Sequence, residues 1–164
     1  MNLSFIRRCA RVLGGKRAYG ERPNRKGRNV SVIGAISLNG LLTQWSSLGL
    51  VDGLTFEAFI AQKLLPKLWK GAVVVMDNCS IHQDVAIEVL ITAAGARLIY
   101  LPPYSPDFSP IENCWSKIKT ILRRLGARTY SDLLRALDKA FDAVKKQDLL
   151  SWFTHCCYCT SSDQ

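Results

Sequence analysis

Two acidic residues in the sequence are placed where a short strand ends and where a helix begins. The apolar run AVVVM leads directly into Asp77, and Glu112 follows a proline-rich loop at the start of a predicted helix, with thirty-four residues between the two acids. Hard divalent cations prefer carboxylate oxygen and water as ligands. A pair of such cations catalyses phosphoryl transfer. The sequence therefore predicts that Asp77 and Glu112 are catalytic, metal-binding residues.

The segments around these acids carry a family resemblance. They read DNCSIH at 77–82 and YSPDFSPIE at 104–112. They resemble the DNxxxH and YSPDxxPIE segments of the DDE transposase catalytic domain, in the mariner-like superfamily and its bacterial insertion-sequence relatives. That family has the same spacing between its second and third acids, and the likeness continues to the WF-x-HC sequence at 152–156.

The resemblance implies a function and a site. Such a protein cleaves and joins DNA strands at insertion-sequence ends with Mg²⁺ or Mn²⁺, two ions in the complete enzyme. Asn78 and His82 lie in the DNxxxH segment and are implied to support the site. Whether His82 has this role or is an ordinary surface histidine stays open from the sequence.

The family's first acid lies on an earlier strand, and no counterpart occurs in this sequence. The first 51 residues contain no Asp, and their single Glu, Glu21, lies in a basic Gly- and Pro-bearing segment typical of a loop. We therefore expect the C-terminal part of a transposase, inactive alone. The implied fold is α/β, an RNase H-like mixed sheet flanked by helices that lacks its first central strand. Unpaired strand edges would make the isolated chain marginally stable or prone to aggregation.

Each acid also has a simpler interpretation. Asp77 is an ordinary turn residue after a strand, and Ser109 and Glu112 have the spacing of a helix capping box. Asp107 competes for the acidic role, but its neighbours indicate a turn. Taken singly these alternatives are stronger, whereas the acids, their spacing and the intervening loop together favour the catalytic site.

The net charge of +9 is concentrated near the start of the chain. Dense positive charge favours a polyanion, because neutralised phosphates release counterions. The predicted DNA-binding residues are Arg7, Arg8, Lys16, Arg17, Arg25, Lys26, Arg28, Lys117, Lys119 and Arg123. Solvated loops and helix faces are the alternative explanation for them.

The predicted partners are transposon ends and target DNA, with the N-terminal half of a split transposase or a second copy of the chain as further candidates. A non-catalytic basic nucleic-acid-binding protein, or a transposase remnant, is the alternative function. The sequence has no membrane-length apolar run and no secretory signal at its start, so we expect a bacterial cytoplasmic, DNA-associated location without a membrane partner.

Six cysteines raise the possibility of a zinc site, especially in HCCYC at 155–159. A structural zinc site needs a second ligand pair at suitable spacing. Reduced thiols in a cytosolic protein are the simpler explanation.

The pattern of apolar residues predicts how these groups are positioned. Asn39-Gly40 lies between a β-branched run and the run LLTQWSSL and predicts a hairpin, and Thr55 is the predicted cap of a helix that Pro66 ends or bends. Ser109 is the predicted cap of the helix that carries Glu112. The predicted elements are strands at 28–38, 41–48, 72–76 and 96–101, and helices at 55–68, 83–94, 110–126, 130–145 and 147–156.

The predicted units are a basic segment 1–28, an incomplete catalytic domain 29–159 and a tail 160–164.

Overall fold

The computed structural model describes Met1, Gly14, Lys16, Arg17, Tyr19 and residues 27–159. Four strands lie in this part of the chain, β1 (Val30–Ser37), β2 (Gly40–Leu48), β3 (Val73–Met76) and β4 (Arg97–Tyr100). Strands β1 and β2 form one antiparallel sheet, and β3 and β4 form a separate parallel sheet. The described residues thus contain two small sheets with no strand joining them.

The β1–β2 hairpin confirms the prediction from Asn39-Gly40. Ser37 pairs with Gly40 at the turn, where Gly40 has a φ of 152° that favours glycine. The register shifts between Ala35 and Ile36, as in a β-bulge.

Five α-helices complete the described part. They are α1 (Gly53–Phe59), α2 (Val85–Ala93), α3 (Pro110–Leu125), α4 (Tyr130–Asp142) and α5 (Lys146–His155). Helix α2 connects β3 to its parallel neighbour β4, as the sequence predicts for a crossover. Gly126 ends α3 in the left-handed conformation, with φ 61° and ψ 49°.

The start of α1 differs from the prediction. Asp52, not Thr55, is the cap, because its carboxylate accepts a hydrogen bond of 2.9 Å from the Thr55 N–H. Beyond Phe59 the chain continues as a wide π-helical turn over Ile60–Leu64 and a tight 3₁₀ turn over Leu65–Lys67. Pro66 lies in that last turn, in agreement with a helix that ends or bends there.

The core has two parts, one on each face of the β1–β2 hairpin. Val30, Val32 and Ile36 pack towards α3 and α4. Ile33, Ala35 and Trp45 pack towards α1, α2 and the β3–β4 sheet. Since successive strand residues point to opposite faces, an apolar strand can serve both cores at once. The first core contains the buried residues Cys114, Ile118, Leu122, Leu133, Ala136, Leu137, Ala140 and Phe141, and the second contains Phe56, Phe59, Ile60, Leu64, Ala72, Met76, Ile87, Ile91 and Ala96.

None of the helices in the described residues has the length and apolar character that a membrane span requires.

Candidate metal and nucleic-acid site

Asp77 follows the last residue of β3, and its side chain is largely exposed. Its Oδ1 accepts a hydrogen bond of 3.3 Å from the Cys79 N–H and lies 2.5 Å from Nδ1 of His82. The Asp77–His82 contact lacks the angles of a hydrogen bond, so its attraction is electrostatic and depends on protonation of the imidazole. Asp77 is therefore held at the strand end, with carboxylate surface still open to a ligand.

His82 is fixed from two sides. Its ring lies against Phe56, with ring centroids 4.3 Å apart, and the Tyr100 hydroxyl donates a hydrogen bond of 2.6 Å to the His82 carbonyl oxygen. Phe56 belongs to α1 and Tyr100 to β4, so two separate elements hold the turn after Asp77. Sequence reasoning did not assign this role to either residue, since no local pattern pairs them with His82.

Asn78 is exposed beside Asp77, and its side-chain oxygen accepts a hydrogen bond from Nε2 of Gln83. This contact leaves the amide nitrogen of Asn78 available to donate, as the implied supporting role requires.

Glu112 lies in the first turn of α3 and is exposed. Its backbone N–H donates to the Ser109 carbonyl oxygen at 3.0 Å, but the Ser109 side chain makes no capping hydrogen bond. Ser109 is therefore the residue that precedes the helix, as predicted, but its side chain does not cap it, and the capping-box alternative for Glu112 is wrong. Pro110, at the first helical position, removes one of the amide donors that a cap would satisfy. The Glu112 carboxylate remains available for another role.

Both acids line one cleft. The cleft has a volume of about 1290 Å³ and lies between the β1–β2 hairpin, β3 and the start of α3. Asp77, Asn78, His82 and Glu112 are all among its lining residues. The structure thus brings all four predicted catalytic and supporting residues to the same opening, whereas Asp107 is not among those lining residues.

The donor chemistry at the cleft fits a hard divalent cation. Mg²⁺ is commonly bound by one or two carboxylates, and waters or substrate phosphates complete its shell. Asp77 and Glu112 supply such carboxylates. Among the described residues, however, no group of three or more His, Cys, Asp or Glu side chains comes together as a metal site.

The described cysteines do not form a zinc site, because no three or more metal-binding side chains come together among the described residues. All five of them are free thiols, and burial in the α3–α4 core raises the pKa of the Cys114 thiol to about 11. A high pKa disfavours the thiolate, the form that binds metals.

Several predicted DNA-binding residues are placed by the structure. Lys16, Arg17 and Arg28 are exposed, and Lys119 on α3 lines the cleft. Arg123 is exposed near the end of α3. Arg7, Arg8, Arg25 and Lys26 lie outside the described residues.

Lys117 has a defined protein partner. Its ammonium group pairs with the Asp148 carboxylate of α5, which also accepts a hydrogen bond of 2.8 Å from the Lys145 N–H. Sequence reasoning missed this pair because its members lie 31 positions apart in the chain. A contact between Lys117 and DNA stays a prediction, and it would compete with this ion pair.

An α/β scaffold that brings a strand-end aspartate and a helix-start glutamate to one cleft is typical of metal-dependent enzymes of phosphoryl transfer. The chain belongs to the DDE superfamily endonuclease family, whose model matches residues 2–134. DDE transposases use Mg²⁺ or Mn²⁺. No curated protein matches the sequence.

Solved structures of the Mos1 mariner transposase have a similar fold. The Mos1 strand transfer complex matches with a TM-score of 0.68 and 16% identity, over 93% of this chain and 49% of that one. The Mos1 paired-end complex with Mn matches with a TM-score of 0.68 and 18% identity, over 96% of this chain and 51% of that one. The isolated Mos1 catalytic domain matches with a TM-score of 0.61 and 15% identity, over 80% of this chain and 72% of that one. These matches confirm the RNase H-like α/β fold, and the chain spans about half the length of the transposases in the two complexes.

Proposed function

We propose that the chain is the C-terminal catalytic part of a DDE transposase that cleaves DNA at insertion-sequence ends and joins the freed strand to target DNA. The observation that carries this proposal is the convergence of Asp77 and Glu112 on one cleft in a chain of the DDE endonuclease family. Residues 29–159 form the catalytic unit in this proposal, with residues 1–28 as a basic segment and 160–164 as a tail.

Each acid has a defined task in this proposal. Asp77 and Glu112 bind the divalent cations. Asp77 is held by the Cys79 N–H and by His82, and Glu112 is carried by the first turn of α3. Bound Mg²⁺ or Mn²⁺ would polarise the phosphodiester and stabilise the charge of the departing oxygen. Because the described residues bring no third such ligand to the site, we expect little or no strand cleavage by this chain alone.

The proposed nucleic-acid partner is DNA, as transposon ends and as target. The net charge of +9 and the exposed Lys16, Arg17 and Arg28 support this partner. The solved Mos1 neighbours include a strand transfer complex and a paired-end complex with the left transposon end. The N-terminal half of a split transposase and a second copy of the chain are proposed protein partners, and the bacterial cytoplasm is the proposed location.

Metal binding tests the proposed roles of the acids directly. We expect Asp77→Asn and Glu112→Gln each to weaken Mn²⁺ binding by about tenfold or more. Calorimetry, or the electron paramagnetic resonance signal of unbound Mn²⁺, measures this affinity. Asp107→Asn is the matched control, because it removes a nearby carboxylate that does not line the cleft. Equal weakening by Asp107→Asn, or no weakening by the other two substitutions, would contradict the assignment.

An activity assay tests the expectation that the chain alone is inactive. Purified chain with Mg²⁺ or Mn²⁺ and a DNA duplex that carries an insertion-sequence end should give no cleavage above background. Metal-dependent cleavage that disappears in both Asp77→Asn and Glu112→Gln would show that two carboxylates suffice.

The alternative function is non-catalytic nucleic-acid binding through the basic residues. Steep salt dependence of DNA affinity, with no effect of Mn²⁺ and no metal binding at the cleft, would favour it. The transposase proposal instead predicts that Asp77→Asn and Glu112→Gln abolish any stimulation of DNA binding by Mn²⁺.

A further inference from the structure

The loop that leads into α3 is bonded to the turn that follows α5. The Tyr158 hydroxyl donates a hydrogen bond of 2.9 Å to the carbonyl oxygen of Phe108, shortly before Pro110 begins α3. The two partners lie 50 positions apart in the chain. Tyr158 also lines the same cleft as Glu112. A side chain from the end of α5 thus reaches the loop that delivers one of the two acids.

The turn after α5 fixes the direction of Tyr158. The Tyr158 N–H donates to the Phe153 carbonyl oxygen at 2.9 Å, and the Cys157 N–H donates to the Thr154 carbonyl oxygen at 3.0 Å. These two bonds define a Schellman motif, in which the residue after the helix cap is left-handed. Cys157 occupies that position with a φ of 64°. The Tyr158 ring packs edge-on against Phe153, with centroids 5.9 Å apart, and supplies the apolar contact of the motif.

Helix α5 is itself held against α3. In its first turn, the Asp148 carboxylate pairs with the Lys117 ammonium of α3. Further along, Leu149, Trp152 and Cys156 share one face at helical spacing. Leu149 and Cys156 are buried, and Trp152 packs against the α3–α4 core. The turn that carries Tyr158 is therefore attached to a fixed helix.

Glu112 lies between two attachments to this helix. Lys117 follows it on α3 and pairs with Asp148 at the start of α5. Phe108 precedes it and accepts the hydrogen bond of Tyr158, beyond the end of α5. Helix α5 thus runs in the opposite direction to α3 and contacts the chain on both sides of the acid. A carboxylate that binds metal must be held within about 0.5 Å of its working position.

The loop before α3 lacks the usual device that fixes the start of a helix. The Ser109 side chain makes no capping hydrogen bond, and Pro110 has no N–H to offer. The Phe108 side chain is 49% exposed, so its packing restrains the loop only in part. The hydrogen bond from Tyr158 supplies a fixed point from outside the loop.

From this contact and the motif that aims it, we propose that Tyr158 is a positioning residue for Glu112. Its hydroxyl holds the loop before α3, so that the Glu112 carboxylate keeps its place at the cleft. The HCCYC segment at 155–159 then serves to place Tyr158 rather than to bind zinc. The effect on metal binding rests on the proposed function, whereas the restraint on the loop does not.

The first test is Tyr158→Phe in the full chain, which removes the hydroxyl and keeps the ring beside Phe153. We expect it to weaken Mn²⁺ binding by about fivefold, the loss that corresponds to one ordinary hydrogen bond. The electron paramagnetic resonance signal of unbound Mn²⁺ measures this affinity. Tyr130→Phe is the matched control, because its hydroxyl also bonds a backbone group, that of Arg28, but Tyr130 does not line the cleft. The control should bind Mn²⁺ as the parent chain does.

A double substitution separates positioning from general stability. If Tyr158 acts through Glu112, then Tyr158→Phe should cause no further loss of Mn²⁺ affinity in a chain that already carries Glu112→Gln. A purely structural role would weaken binding in both backgrounds. The same fivefold loss in the Glu112→Gln chain, or an equal loss in Tyr130→Phe, would overturn the proposal.

Hydrogen exchange of the metal-free chain tests the restraint on the loop directly. The Ser109 N–H donates to the Pro106 carbonyl oxygen, and the Glu112 N–H donates to that of Ser109, both at 3.0 Å. Tyr158→Phe should speed exchange at both amides by about threefold or more, because local opening becomes easier. The Gly126 N–H, at the other end of α3, is the internal control. Unchanged exchange at Ser109 and Glu112 would refute the restraint.

Cys157 offers a second pair of variants that leaves Tyr158 intact. Cys157 is exposed and left-handed, so Cys157→Gly suits its conformation and should keep the Mn²⁺ affinity of the parent chain. Cys157→Val places a β-branched residue at a positive φ and should weaken Mn²⁺ binding as Tyr158→Phe does. Parental affinity in both variants would contradict the role of the turn.

Failure of the proposed function would give a different result. If Glu112→Gln leaves Mn²⁺ binding unchanged, Glu112 is not a metal ligand and the proposed function loses one of its acids. Exchange at the Ser109 and Glu112 amides then still decides whether Tyr158 restrains the loop.

Discussion

The interface between α3 and α4 and the cleft between β1 and β3 are both apolar, yet only the first is closed. Ile118 and Leu122 of α3 are at most 1% exposed, as is Leu133 of α4. Across the cleft, Val73 is 51% exposed although it belongs to a strand. Helices satisfy their backbone hydrogen bonds internally, so side-chain packing alone completes the α3–α4 interface, whereas a strand edge also needs a neighbouring backbone.

This difference separates the two candidate catalytic acids. Glu112 belongs to a sixteen-residue helix whose other face lies in the closed core. Asp77 follows a four-residue strand with one strand neighbour among the described residues. The position of Glu112 should therefore persist when the cleft is perturbed, and the position of Asp77 should be more sensitive.

The largest expected effect comes from a cavity in the closed core. Leu137→Ala removes a side chain that is 2% exposed and should lower the free energy of unfolding by about 3 kcal/mol. Val75→Ala in the cleft should cost about 1 kcal/mol or less, because Val75 is only partly buried. Urea denaturation of both variants measures the difference. Equal losses would mean that the two regions are equally well packed.

A second effect concerns the contact of α3 with the hairpin. A Cβ added at Gly34 would lie 3.1 Å from the ring of Trp115, one turn after Glu112, and Trp115 also packs edge-on against Phe141. Gly34→Ala should therefore cost about 1–2 kcal/mol through overpacking. Gly53→Ala is the matched control, since a Cβ there meets no atom within 4 Å, and it should be neutral or slightly stabilising. A neutral Gly34→Ala would show that α3 can move away from β1.

The sequence predicts the helices, strands and turns better than the helix caps and the contacts between distant segments. Strand alternation, the Asn39-Gly40 turn and the Gly126 stop are local signals, and each gave the observed element. Asp52 in place of Thr55 and the absence of a Ser109 side-chain cap depend on loop geometry that composition does not specify. The four residues predicted at the site meet at one cleft, but the support of His82 by Phe56 and Tyr100 joins distant parts of the chain.

A third effect tests how α5 is held on α3. The hydrogen bond from Lys117 lowers the pKa of the Asp148 carboxyl, and the Lys145 N–H adds to the shift. A carboxyl whose folded pKa is depressed contributes stability above its unfolded pKa, near ~3.9, and that contribution is lost as pH falls through the folded value.

Asp148→Asn should therefore cost about 1 kcal/mol at pH 7 and progressively less below pH 4. Thermal melts across this range measure it, with Asp142→Asn, an exposed acid at the end of α4, as control. A cost that stays constant at low pH would mean that the charge of Asp148 is not involved.

The last prediction compares the reactivity of one cysteine in each region and needs no substitution. Cys114 in the closed core is 1% exposed, and burial raises the pKa of its thiol to about 11, whereas Cys79 is exposed and lines the cleft. Alkylation requires the thiolate and access. At pH 8, iodoacetamide should modify Cys79 of the folded chain within minutes and leave Cys114 unmodified until urea unfolds it, as read by mass spectrometry of the digested protein. If Cys114 reacts as fast as Cys79 without denaturant, the α3–α4 core opens readily, and Glu112 is no better anchored than Asp77.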